Sequence, residues 1–207
     1  MTPHPGRMPL RDALVVLRDL RRDDEIVVAA MGAAREWMAL SAHALDWIHV
    51  PSSMGQAPSL GLGLALALPK RRVLVLNGDG SLLMNLGCLV TITSLRPPNL
   101  VLVTLDNGVY EVTGAQPTPA SAAGRTTGVA VDFAALASAS GFEAVARFSE
   151  VDAWRRGARV ALDQPGPSFV VLDVAPVPGA RGPRSPGPPV ARAREFMRRL
   201  VEDGGGG

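Results

Sequence analysis

Apolar residues change their spacing along this chain in a regular way. Leu10, Leu14, Leu17 and Leu20 recur at helical intervals over residues 10–22. Short, continuously apolar runs then appear at 25–30 (EIVVAA), 46–50, 72–76 (RVLVL), 99–105 (NLVLVTL), 142–148 and 168–174. Each is too short for a helix and shows no polar alternation, so each predicts a strand covered on both faces. Helical stretches are predicted between them at 33–44, 56–68, 81–95, 133–140 and 151–162, with Pro69 stopping the second and Gly141 the fourth. Alternating buried strands and helices predict an α/β fold. It is a doubly wound, mainly parallel sheet of about six strands with helices on both faces.

The remaining segments set the boundaries. Residues 1–8 read as a flexible leader and 9–175 as one domain. Residues 176–189 are a Pro/Gly-rich linker. Residues 190–207 form an Arg-rich C-terminal helix and tail, the helix over 190–201. A second polar stretch, 106–128, is rich in Gly, Thr and Pro and reads as a long loop.

Composition narrows the function classes. The chain has 207 residues, 47% hydrophobic and 19% charged, enough for a sizeable core. Formal net charge is +2, and the excess sits in the tail, from Arg181 to Arg199. Aromatics are only 4%, with Phe196 alone in that tail, which argues against nucleic-acid binding. Cys88 is the only cysteine, so no intrachain disulfide or Cys-rich metal site can form. The longest apolar stretch, Leu60–Leu68, falls short of the ~20 residues that span a bilayer. Arg18 and Asp19 interrupt the N-terminal apolar run, so no secretory signal is expected. A cytoplasmic location follows as the expectation, without membrane or nucleic-acid partners.

The chemistry concentrates at two strand ends. Gly78-Asp79-Gly80-Ser81 follows one buried strand, and Asp106-Asn107 follows the next. In a parallel sheet these ends share the ligand-bearing edge. Asp79 and Asn107 both offer oxygen, the donor that Mg²⁺ prefers when it links protein to phosphate groups. Gly80 and Ser81 open a predicted helix, whose backbone N–H groups can face an anion.

This arrangement resembles the cofactor motif of thiamine diphosphate enzymes, a GDG followed a few tens of residues later by Asn. Here 29 positions separate Gly78 from Asn107. The family motif often ends Asn-Asn, whereas this chain has Asp106-Asn107; the second position carries the ligand. The resemblance implies that Asp79, Asn107 and the backbone carbonyl of Val109 are Mg²⁺ ligands. It further implies that Gly32, Ser53, Met54, Gly55, Gly78, Gly80, Ser81, Asn107, Val109 and Tyr110 surround thiamine diphosphate. Met54 would be the bulky residue that props the cofactor in its bent shape. Gly32–Glu36 (GAARE) and Asp106–Thr118 (DNGVYEVTGAQPT) are similar to segments of phosphonopyruvate and sulfopyruvate decarboxylases. Ala115 stands where those enzymes usually carry a second glycine.

The same resemblance implies a reaction and a partner. The chain matches only the diphosphate-binding module of such enzymes, and none of its glutamates sits in a pyrimidine-module context. A separate pyrimidine-binding subunit, supplying the activating glutamate within a hetero-oligomer, is therefore expected. The implied activity is decarboxylation of a small 2-oxo acid, with Glu111 and Thr113 as catalytic candidates. Glu111 is read as a proton donor or a solvated loop glutamate. Arg35 is read as a ligand for an acidic substrate group or an ion-pair partner of Glu36 or Asp46. A carboligase subunit and a non-catalytic cofactor-binding subunit are the alternatives.

Overall fold

A computed structural model of the chain describes residues 6–202. The first five residues of the expected leader, and residues 203–207 of the tail, lie outside them. In chain order the elements are β1 (Met8–Pro9), α1 (Leu10–Leu20), β2 (Ile26–Ala30), α2 (Met31–Leu40), β3 (Asp46–His49), α3 (Ala57–Ala67), β4 (Val73–Gly78), α4 (Asp79–Leu83), α5 (Gly87–Leu95), β5 (Leu100–Asp106), β6 (Val109–Tyr110), β7 (Gln116–Pro117), α6 (Phe133–Ala139), β8 (Ala144–Phe148), α7 (Val151–Leu162), β9 (Ser168–Ala175) and α8 (Pro189–Glu202). Two 3₁₀ turns, Glu111–Thr113 and Ala122–Gly124, lie in the segment predicted as a loop.

Seven strands form one parallel sheet. Its order is β3-β2-β4-β5-β9, and the far edge of β9 is shared by β8 and β1. Side chains along each strand alternate between two apolar layers. Val27, Leu74, Val103 and Leu172 meet α1, α2 and α7 through Leu14, Leu17, Trp37 and Trp154. Val28, Val75, Leu102 and Val171 meet α3, α5, α6 and α8 through Leu62, Ile92, Phe133 and Phe196. Burial on both faces explains why the strand sequences lack alternation. Among the described residues, no helix is long and apolar enough to cross a membrane.

The topology creates a crevice. From β2 the chain goes out to β3, then crosses back to β4 on the other side of β2. The helices following β2 and β4 therefore leave toward opposite faces and part at the strand ends, where ligands bind in folds of this class.

Three local features depart from the sequence pattern. The predicted helix over 81–95 is broken: Met84 N–H and Asn85 N–H bond three residues back, to Ser81 and Leu82, and a new helix starts at Gly87. At the break the Asn85 side chain donates to the Gly55 carbonyl at 3.2 Å. Next, Met8 pairs with Val174 in the sheet and is buried, so ordered structure begins inside the segment read as a leader. Finally, the polar stretch after β5 contains the antiparallel pair β6–β7.

The C-terminal helix is docked on the domain. Phe196 and Leu200 enter the second apolar layer. The Phe196 ring lies 5.3 Å from that of Trp47 on β3, and the Arg192 guanidinium sits 5.0 Å over the same indole. Arg192 also donates to the carbonyls of Ile48 and Val50, covering polar groups at the end of an edge strand. Phe196→Ala is expected to cost about 2–4 kcal/mol in urea unfolding, the range for truncating a buried aromatic at a partly accessible position. A loss below ~0.5 kcal/mol, the size of a surface substitution, would show that α8 is not held there.

Candidate active site

The crevice is a cleft, open to one side, where β2, β4 and β5 end. Eleven of the sequence-predicted residues line it: Gly32, Met54, Gly78, Asp79, Gly80, Ser81, Asn107, Val109, Tyr110, Glu111 and Thr113. Ser53 does not. Its side of the loop is exposed, and its N–H bonds to Gln56 Oε1 at 3.1 Å. Gly55 lies behind the wall, where its N–H donates to Ser81 Oγ at 3.0 Å in a buried contact. At φ +89°, with Asn85 Cβ only 2.9 Å from where its own Cβ would stand, position 55 requires glycine. This contact fastens the Met54 loop to α4.

Asp79 is the centre of the site. It is 2% exposed at the mouth of β4. Its carboxylate accepts from the Thr118 hydroxyl at 3.2 Å and from the backbone N–H groups of Gly80 and Asn107. Burial, reinforced by the nearby Asp106 carboxylate, pushes its pKa up to about 7, and the three donors only partly offset this. Among the described residues, no Lys, Arg or His is among the causes that perturb it. Thr118 has a buried role that the sequence did not single out. It closes a motif segment, but the contact bridges 39 positions and appears only once the β6–β7 hairpin folds back.

Across the cleft, Asn107 Oδ1 accepts from Val109 N–H at 3.0 Å, with Gly108 at φ +74° between them. This tight turn fixes the Asn107 side-chain oxygen against the Val109 backbone N–H. Tyr110 lies over Gly80, and a Cβ at position 80 would stand 2.6 Å from its ring. Ala115 adopts φ +58°, the left-handed region that the usual glycine reaches without strain. Met31, also lining the cleft, has φ +54°. Strain of this kind concentrates at ligand sites, where the surrounding fold fixes it.

Charges behind the turn at residues 106–109 are compensated. Asp106 and Asp173 are register partners on β5 and β9. Arg147 binds Asp173 with two contacts, 2.8 and 2.9 Å, and approaches Asp106 at 3.8 Å. Arg7 donates to the carbonyls of Asp106 and Val174 at 3.2 and 3.3 Å, with its other nitrogen 4.0 Å from the Asp106 carboxylate. Burial raises the Asp106 pKa, while Arg7 pulls it back. Glu111 is likewise engaged: Oε1 accepts from Val177 N–H at 2.8 Å, and Oε2 lies 3.5 Å from Arg35 Nη2. Arg35 also contacts Glu36 at 3.0 Å, whereas Asp46 pairs with Arg21 instead. The Thr113 hydroxyl faces Gln116 Oε1 at 3.0 Å.

The donor set suits a hard cation. Among the described residues, no group of three or more His, Cys, Asp or Glu could hold a metal by itself. One carboxylate, one amide oxygen and one carbonyl would leave coordination positions for phosphate and water, the mixture Mg²⁺ favours. A buried carboxylate beside a second anion fits that role, since a cation would relieve the repulsion.

Residues 29–172 match the family described as thiamine pyrophosphate enzyme, C-terminal TPP binding domain. The chain is 37% identical over 177 residues to phosphonopyruvate decarboxylase of Streptomyces viridochromogenes, covering 83% of this chain and 42% of that protein. It is 38% identical over 154 residues to sulfopyruvate decarboxylase subunit beta of Methanothermobacter thermautotrophicus, covering 74% of this chain and 76% of that subunit. It thus spans less than half of the first relative and three quarters of the second. An X-ray structure described as a thiamin diphosphate-dependent enzyme from Mycobacterium smegmatis superposes with TM-score 0.66 at 21% identity, over 84% of this chain and 33% of that one, a likeness of fold.

The raised Asp79 pKa makes a signed prediction about stability. The folded state holds this proton more tightly than the unfolded chain. Stability from this group is therefore lost as pH rises from the usual carboxylate range through about 7. In the absence of metal and cofactor, Asp79→Asn should stabilise the protein at pH 8 by on the order of 2–4 kcal/mol, and hardly at all at pH 4. Urea unfolding at the two pH values checks this. A variant destabilised at pH 8 would contradict the electrostatic account.

Proposed function

This chain belongs to the thiamine pyrophosphate enzymes, carrying their C-terminal cofactor-binding domain over residues 29–172, and on that premise we propose that it is the diphosphate-binding subunit of a two-component 2-oxo acid decarboxylase. Relatives named as decarboxylases, one of them as a subunit beta, support the reaction class and the need for a second subunit. The observation that carries the reading is the buried Asp79 carboxylate, raised in pKa and facing Asn107 and Val109 across one cleft.

In this reading Asp79, the Asn107 side-chain oxygen and the Val109 carbonyl hold Mg²⁺, while the backbone of Gly78, Gly80 and Ser81 surrounds the diphosphate. Met54 supports the cofactor from its loop, with Ser53 and Gly55 flanking it, and Gly32 and Tyr110 form the walls. Thiamine diphosphate, when bound, supplies the electron sink through which a 2-oxo acid loses CO₂. The chain's own residues do the rest. Thr118 and two backbone N–H groups orient Asp79. Gly80 lets Tyr110 close over the motif. Glu111 and Thr113, at the rim, contact the substrate. A separate pyrimidine-binding subunit contributes the glutamate that activates the cofactor.

Calorimetry with thiamine diphosphate and Mg²⁺ tests the site. Asp79→Ala and Asn107→Ala should each weaken Mg²⁺-dependent binding by at least ~100-fold, in line with the loss of a ligand to a hard cation. Unchanged affinity would sink the assignment. Wild-type affinity should also fall below pH 7, roughly tenfold per unit, as the proton competes for Asp79. Turnover assays with the second subunit separate the remaining readings. Release of CO₂ and an aldehyde supports a decarboxylase, joining to an added aldehyde points to a carboligase, and cofactor binding without turnover points to a non-catalytic subunit.

A further inference from the structure

Glu111 belongs to a three-residue 3₁₀ turn between two glycines at positive φ, Gly108 and Gly114. Such a turn has little means of its own to fix a long side chain. Yet the Glu111 side chain is only 6% exposed while lining the cleft. We propose that Arg35 and the strap formed by residues 176–188 are positioning elements, which hold the Glu111 carboxylate at the cleft rim.

The strap leaves β9 at Ala175, runs past the 3₁₀ turn and the start of α2, and reaches α8 beside β3. Its ends are fixed. Val177 packs against the first apolar layer. At the far end, Arg192 holds Ser185 at 3.0 Å, and Ser185 holds the Gly187 carbonyl at 2.6 Å. At the near anchor the Val177 N–H also donates to Glu111 Oε1 at 2.8 Å.

Arg35 secures the other oxygen. Its guanidinium is spread over three elements: Nε meets Glu36 at 3.0 Å, Nη1 donates to the Arg181 carbonyl of the strap at 3.3 Å, and Nη2 stands 3.5 Å from Glu111 Oε2. Nη2 is buried and makes no hydrogen bond to any described residue, so Glu111 is the anion it serves. Position 32 completes the fit, because a Cβ there would stand 3.1 Å from Oε2. A planar guanidinium presents donors from three separated nitrogens and so reaches all three elements, whereas the donors of an ammonium radiate from a single nitrogen. Arg35 stands behind Glu111 and does not line the cleft itself, which disfavours its binding an acidic group of the substrate. Each carboxylate oxygen keeps a second acceptor site for the cleft.

The kinetic half of this inference rests on the reading of the cleft as a thiamine diphosphate site; the geometric half does not. In the cofactor-free full chain, Glu111→Ala should speed hydrogen exchange of the Val177 amide at least tenfold, and Arg35→Met at least threefold. Unchanged exchange in Glu111→Ala would overturn the proposal. With the second subunit present, Arg35→Met should lower kcat at least tenfold, leave KM and thiamine diphosphate affinity within twofold, and be partly rescued by Arg35→Lys. In a Glu111→Gln background the same substitution should add less than twofold, because its target is gone. A raised KM with unchanged kcat, persisting in Glu111→Gln, would instead show direct substrate binding by Arg35 and refute the positioning role. Normal exchange effects in a protein that turns over no 2-oxo acid would uphold the latch and count against the catalytic reading.

Discussion

Asp79 carries a carboxylate into a buried position, only 2% exposed, at the point where two helices part. Burial of an anion is costly unless something of opposite charge or several donors face it. Here three donors face it, and a second carboxylate, Asp106, stands near enough to add repulsion. The loops around Asp79 follow from this placement. Gly80 must lack a side chain so that Tyr110 can cover the motif, and Gly55 must lack one so that the Met54 loop can fasten to Ser81. Burial and the neighbouring Asp106 oppose the ionised form of Asp79, so this carboxylate weakens the fold at pH values where it is charged.

Arginines counter this repulsion. Asp106 adds a second, partly buried negative charge beside Asp79. Arg147 ties it to Asp173 from β8, and Arg7 ties it to the end of β9. Contacts of this kind are worth little on a surface but more where the groups are partly buried. They also recruit residue 7, which sequence composition placed in a leader, into the support of the loop.

The C-terminal segment plays a comparable part on the other side of the cleft. Its composition reads as a spacer, yet Trp47, Arg192 and Phe196 dock the helix that follows it. Docking draws the Pro/Gly stretch across the strand ends, where Val177 and Arg181 meet Glu111 and Arg35. The prolines of this segment, with φ already restricted, lessen the entropy lost when it is ordered there.

Most of the sheet and most of the cleft were legible in the sequence. Continuous apolar runs such as RVLVL and NLVLVTL mark strands buried on both faces, because no other short element tolerates them. The GDG turn, the spacing to Asn107 and the flanking segments mark the cofactor edge, because the chemistry of a diphosphate and its cation restricts residues that lie near one another in sequence. The break in the helix at Asn85, the buried hydroxyl of Thr118, the outward-facing Ser53, the clip made by Arg7 and the latch at Glu111 were decided only by the tertiary structure. All but the Ser53 turn depend on contacts between residues far apart in the chain, such as the 39 positions from Asp79 to Thr118 or the 66 from Glu111 to Val177. Local pattern fixes which face of an element is buried, but it cannot say which distant polar group will arrive to satisfy a buried charge.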